Sequence, residues 1–328
     1  MKMQIMKNGY FVISLDFELL WGVFDVEDYS KKLDYFDQTL EVIPKILQMF
    51  QSNQIHCTWA TVGMLFNNNW EEWEANIPES LPAYTNSKLS AYNFGKDIKS
   101  DDTISLCFAP NLLSVIKKVP GQEIATHTYS HYYCLEEGQN RTQFRLDLER
   151  ALKVAKEMNI KLESLVFPRN QFNSAYLEIC KELGIKNVRS NPSSWYWKDL
   201  KSESLLNRLA RTGDAYFSIG NKSYPFKEIE DQSSIPKKQK ASRFLRPVEG
   251  NKLLRRLKLY QIKKELTSAA KNKEIYHLWW HPHNFGNNPV ESLKDLSVIL
   301  SHFQRCRELY GFESVNMQEL GNLHFRSS

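Results

Sequence analysis

FVISLDFEL, residues 11–19, alternates without a break: Phe11, Ile13, Leu15, Phe17 and Leu19 fall on one face, and Val12, Ser14, Asp16 and Glu18 on the other. This is the period of a β-strand with one apolar side. Asp16 and Glu18 therefore point the same way. Two carboxylates on one face of such a strand cost free energy unless they are paired, ligated or left at a solvent-exposed strand end. Working outward, a helical pattern follows at Leu40, Ile43, Ile46, Leu47 and Phe50, then a strand over 55–61 and another over 123–126. Helix 141–158, strand 163–167, helix 174–184, a short strand over 186–189, a final strand over 274–281 and a helix from 289 to 309 complete the series. Strands alternating with helices predict an α/β fold, a parallel sheet with helices packed outside it.

Two excursions interrupt the alternation, 67–105 and 192–272. They read as insertions into one elaborated domain spanning 8–328, in which 289–328 forms a C-terminal helix and tail. Composition, 42% apolar and 25% charged over 328 residues, excludes a disordered or fibrous chain. The apolar run near the start, 10–15, is too short for an export signal, and no run approaches the ~18 residues of a spanning helix. Five cysteines without a CxxC pair (Cys57, Cys107, Cys134, Cys180 and Cys306) fit reduced thiols in the cytoplasm and offer no thiolate metal site. The net charge of +5 has one source: residues 236–273 hold 13 Lys/Arg against Glu249 and Glu265, which leaves the remainder acidic.

GQEIATHTYSHYY, residues 121–133, places His127 and His131 four apart. On one helical turn both imidazoles would project from the same face and could bind one divalent ion, with a carboxylate as the missing third ligand. Two surface histidines at a helix start are the plainer alternative. The acidic pair on the first strand and the histidine pair support each other.

These motifs resemble the NodB-type polysaccharide deacetylases, carbohydrate esterase family 4. SLDFE is similar to the family's first motif and GQEIATHTYSH to its second; FPRNQ resembles its third, with Arg169, and HLWWHPH its last, with His281. The resemblance runs from about residue 10 to 285 and implies an incomplete (β/α)7-type barrel with inserted loops and helices. It further implies that Glu18, His127 and His131 bind a divalent metal, Zn2+ first, with Co2+, Mn2+ and Ni2+ as alternatives. Asp16 would be the general base, Arg169 would orient it, and His281 would be the general acid. The chain departs from the family pattern at Glu18, where an aspartate is common, at Asn170-Gln171-Phe172, and at Trp279 in place of an aliphatic residue. Trp279 narrows the expected acyl pocket or shifts acid duty to His283; Trp279, His283 and Trp195 are the expected substrate contacts.

The implied activity is hydrolysis of an amide on an N-acetylated saccharide or a lipid- or nucleotide-linked sugar. Within the basic segment, Leu253, Leu254, Leu257, Ile262 and Leu266 fall at helical spacing, so 236–273 reads either as a helix packed on the barrel or as a peripheral contact with anionic headgroups or a diphosphate. No nucleic-acid module surrounds these charges. Two rival readings are a carbohydrate-binding barrel without catalysis and a membrane- or polyanion-binding adaptor. A zinc peptidase is disfavoured because Thr128, not Glu, follows His127.

Overall fold

The computed structural model describes residues 8–192, 213, 220–230, 236–248 and 250–323. Its strands are β1 (Tyr10–Phe17), β2 (Cys57–Thr61), β3 (Gln122–Thr126), β4 (Ser164–Val166), β5 (Asn187–Ser190), β6 (Tyr224–Pro225), β7 (Lys237–Lys240), β8 (Arg243–Phe244), β9 (Glu274–Trp280) and β10 (Glu313–Val315). They form one sheet in the order β6-β9-β1-β2-β3-β4-β5-β7, with β10 also on β1 and β8 also on β9. Every pairing is parallel except that of β6 with β9. The sheet curls into the incomplete β/α barrel that the motifs imply.

Its two faces explain the alternation in β1. Phe11, Ile13, Leu15 and Phe17 join the apolar layer beneath helices α1 (Leu33–Ser52) and α6 (Pro289–Tyr310). Val12 packs instead with Ala60, Val166, Ile275 and Met317 inside the curl. Ser14 and Asp16 share that inner face, so the strand is buried on both sides, as parallel sheets generally are. The second face, polar in sequence, lines an interior rather than solvent.

Part of the stretch expected to be an insertion belongs to the sheet. β7 pairs with β5 and β8 with β9, and only Ala241 and Ser242 separate them. Ala241 N–H donates to Ser190 O at 2.9 Å, while Ser242 N–H donates to His277 O at 2.8 Å. One bent strand thus ties the two edges of the curled sheet together. Periodicity concealed it because Lys237, Lys238 and Lys240 carry charge where a strand usually carries β-branched residues.

The basic helix α5 (Lys252–Asn272) buries Ile262, Leu266, Ala269 and Ala270 and packs along α6. Arg255 pairs with Glu291 and Asp295, and Lys258 with Asp295 at 3.2 Å. Arg243 Nε donates to Glu265 at 2.7 Å. Several of the basic charges are therefore answered within the fold, whereas Leu253 is exposed. Trp70 and Trp73, in the 67–105 excursion, are core residues stacked around Trp21. All five cysteines are buried and none is in a disulfide. Among the described residues, no helix is long and apolar enough to cross a membrane.

Candidate active site

The site forms where β1, β3, β5 and β9 end on the same side of the sheet. Asp16 lies in the last turn of the β1 pleat, and Glu18 follows it with φ −135°, leading into Leu19 at φ 44°. That kink swings the Glu18 carboxylate over the strand ends. It sits directly above Gly22, where an added Cβ would fall 2.0 Å from the Glu18 carboxyl carbon. A glycine at that position leaves room for the acid.

The histidine pair is not on a helical turn. Residues 127–133 form an irregular loop after β3, in which Thr128 (φ 64°) and His131 (φ 56°) are left-handed. Such conformations persist only where surrounding bonds impose them. Here Asp147, from helix α3 (Arg141–Glu157), accepts from Tyr129 N at 2.6 Å, from Ser130 N at 3.1 Å and from the Ser130 hydroxyl. Burial pushes the Asp147 carboxyl up to about 6 against those bonds. The clamped loop brings the two imidazoles to a centroid distance of 5.1 Å.

Glu18 Oε2 stands 3.3 Å from His127 Nε2 and 3.1 Å from His131 Nε2. All three residues are nearly inaccessible, at 3%, 1% and 2% exposure. Glu18 Oε2 and His127 Nε2 have no hydrogen-bond partner. Orphaned buried polar atoms that converge on one point are the signature of an ion site. His127 donates its Nδ1–H to Val166 O at 2.9 Å, which fixes the tautomer that leaves the Nε2 lone pair facing Glu18. The three ligand atoms lie within 4.8 Å of one another, and one carboxylate with two imidazoles is a donor set suited to zinc and its neighbours.

Asp16 is held by a different arginine from the one the motifs imply. Arg189, on β5, donates Nη1 to Asp16 Oδ1 at 2.6 Å and Nη2 to Oδ2 at 2.7 Å, a bidentate pair of the strongest kind. Its guanidinium also reaches Ser14 Oγ at 3.0 Å and Asn170 Oδ1 at 3.1 Å, and stacks 4.3 Å over the Trp279 ring. Burial raises the Asp16 carboxyl, but Arg189, with His127 and His281 beyond it, holds it below the usual value. Arg169 instead donates to Asp25 at 2.6 Å and lies 4.6 Å over Tyr133. The reason is local: Arg169 and Asn170 are consecutive left-handed residues after β4, at φ 51° and 54°, which turns Arg169 toward Asp25 and Asn170 toward Arg189.

His281 follows β9, with Nε2 3.8 Å from Asp16 Oδ2 and 3.5 Å from Glu18 Oε1. His283 Nε2 lies 3.9 Å from the same Glu18 oxygen, and the two rings stack at 4.9 Å and 8°. Both histidines expected for acid duty therefore face the acidic pair. Burial, then the neighbouring His281, depresses His283 to about 3; burial depresses His131 against the pull of Glu18. Burial also raises Glu18, yet His281, His131 and His127 together bring it well below the usual carboxylate range. Trp279 is 4% exposed and packs between Arg189, Phe244 and His281, so it backs the acid residues more than it lines an open rim. Trp195 lies outside the described residues.

Sequence reasoning missed Arg189, Asn170 and Asp147. The signal for Arg189 was alternation in the short β5, where Val188 faces the helices with Leu165 and Ile185 and leaves Asn187 and Arg189 on the inner face.

Residues 33–188, just under half of the chain, match the family described as polysaccharide deacetylase. The matched region contains His127 and His131 but not β1 or β9. No curated protein sequence matches. Among solved structures, one from Mycobacterium smegmatis named a polysaccharide deacetylase is 12% identical, with a TM-score of 0.60 over 98% of this chain and 91% of its own. A probable polysaccharide deacetylase from Pseudomonas aeruginosa PAO1 is 9% identical, at 0.52 over 95% and 89%. Puue allantoinase, also 9% identical, reaches 0.53 over 95% and 88%. At these identities the likeness is one of fold, on which different activities can be built. The matched region and the barrel are thus what this chain shares with the polysaccharide deacetylases, over residues 33–188 in sequence and over the whole fold in structure.

Proposed function

We propose that this protein is a metal-dependent deacetylase acting on an N-acetylated sugar. The observation that carries the reading is the convergence of Glu18 Oε2, His127 Nε2 and His131 Nε2 beside an aspartate clamped by arginine. A divalent cation on those three ligands, with zinc the best fit to the donors, supplies a Lewis acid that polarises the acyl carbonyl and acidifies water.

The remaining work falls to the chain's own groups. Asp16 accepts the proton of the attacking water, and Arg189 keeps it ionised and aimed. His281, 3.8 Å from Asp16, delivers a proton to the leaving amine, which a carboxylate of depressed pKa cannot do. Beside the mouth, Asp25 joins the Arg169 pair to a cleft of about 380 Å³ lined by Phe24, Ser87, Lys88, Asn93, Phe94 and Asp97. Aromatic walls with hydroxyl, amide and charged groups suit a sugar ring.

The test combines elemental analysis of the purified protein with acetate release from N-acetylated oligosaccharides. Wild type should hold metal and release acetate, and Glu18→Ala and His127→Ala should lose both. Asp16→Asn should keep the metal and lose about 10²–10⁴-fold in turnover. Normal turnover in Asp16→Asn would remove its role as base, and a metal-free wild type with full activity would remove the mechanism.

A further inference from the structure

Glu18 uses only one of its oxygens toward His127 and His131. The other, Oε1, faces His281 Nε2 at 3.5 Å and His283 Nε2 at 3.9 Å. These three donor atoms also lie within 4.8 Å of one another. Two imidazoles and a carboxylate therefore appear twice, on opposite sides of a single carboxyl group.

We propose that Glu18 Oε1, His281 Nε2 and His283 Nε2 form a second cation pocket, bridged through Glu18 to the first, and that filling it switches hydrolysis off. The geometry is suited to this. The two rings are stacked almost parallel, 8° apart, so both Nε2 atoms reach the same side. His283 is 5% exposed and its Nδ1 has no hydrogen-bond partner, so the interior does not commit that ring to another bond. Carboxylate-bridged ions sit ~3.5–4 Å apart in two-metal sites, a separation that the two oxygens of one carboxyl can span. Nitrogen-rich donors select borderline ions such as Zn2+ or Co2+ over Mg2+ or Ca2+.

The consequence for catalysis follows from His281. A nitrogen whose lone pair is given to a cation cannot carry the proton destined for the leaving amine. The first ion serves the reaction and the second opposes it. This part of the inference rests on the proposed deacetylase reading, but the second pocket does not.

The experiment is equilibrium dialysis of chelator-stripped protein against Zn2+ or Co2+, read by elemental analysis, with acetate release followed at each loading. Wild type should bind two equivalents, and turnover should rise with the first and fall several-fold with the second. His283→Ala should bind one equivalent. The His127→Ala/His131→Ala double variant should also bind one, on the other side of Glu18. A wild type saturating at one equivalent overturns the second pocket while leaving the deacetylase reading intact if acetate is still released. Two equivalents without acetate release at any loading would support the pocket and remove the deacetylase reading. Two equivalents in His283→Ala would place the second ion elsewhere and overturn the assignment.

Discussion

Glu18 and Glu123 are both buried at strands of the same sheet, and they are treated in opposite ways. Glu123, on β3, accepts from the Thr58 hydroxyl at 2.6 Å and from the backbone N–H of Gln318 at 3.0 Å. Gln318 belongs to the short helix α7 (Met317–Asn322), whose first residue donates its N–H to Thr58 Oγ1. Burial raises the Glu123 carboxyl above its usual value. Glu18 has imidazoles where Glu123 has hydroxyl and amide donors, and they pull it well below the usual range. The fold answers Glu123 Oε2 with neutral donors as part of a structural seal, while Glu123 Oε1 is left without a hydrogen-bond partner. Around Glu18 the orphaned atoms converge, Glu18 Oε2 facing His127 Nε2 at 3.3 Å without a hydrogen bond, and it is this convergence, not a single orphaned oxygen, that suits a ligand site.

The largest break in this comparison should come from removing each charge in turn. Glu18→Gln is expected to abolish stoichiometric metal binding, because an amide is a poor ligand and cannot balance the ion's charge. Glu123→Gln should leave metal content at the wild-type level. Loss of metal in both variants, by elemental analysis after dialysis, would erase the distinction. A smaller effect is expected at Gly22. Its methyl group in Gly22→Ala would collide with the Glu18 carboxyl carbon, and displacing a ligand by a fraction of an ångström should weaken Zn2+ affinity by about 10–100-fold. An unchanged affinity in competition titration would show that Glu18 has slack the packing does not suggest.

The two arginines sharpen the same contrast between groups that hold the site and groups that border it. Arg189→Ala leaves Asp16 buried without its partner and should destabilise the protein by about 3–5 kcal/mol. Arg169 is one-third exposed, and its nearly buried partner Asp25 also accepts from the Tyr133 hydroxyl, so Arg169→Ala should cost less than Arg189→Ala. Urea unfolding of the two variants checks the ranking, and the reverse order would return Arg169 to the position its motif implies.

The sequence was most legible where chemistry and period coincide. The unbroken alternation around Asp16 and the spacing of His127 and His131 identify four of the residues that meet at the mouth. The failures have a common physical cause. Arg169 and Asn170, like Thr128 and His131, adopt left-handed backbone that no local pattern announces in residues other than glycine. Side-chain direction at such positions is set by distant partners, here Asp147 for the histidine loop and Asp25 for Arg169. The lysine-rich β7 is strand because β5 offers it a free edge, a tertiary cause that overrides propensity. Part of the basic charge that suggested a headgroup contact is matched by Glu291 and Asp295, nearly forty residues downstream of Arg255.

The smallest expected effect concerns acidity, and its sign separates the two glutamates most cleanly. With metal chelated, Glu18 has a folded pKa below its unfolded value, so the unfolded chain binds more protons at the onset of carboxylate titration. Its contribution to stability is present above the unfolded pKa of ~4.3 and is lost as pH falls through the lower folded value. Glu123 has a folded pKa above its unfolded value. Between the two values the folded state holds the extra proton, so wild-type stability falls as pH rises through that window. Glu123→Gln should therefore gain on wild type as pH rises from 4 to 7. Glu18→Gln should lose on wild type over the same range. Urea unfolding at the two pH values measures both differences, and slopes of the same sign would mean that the interior does not discriminate between these acids as its donors indicate.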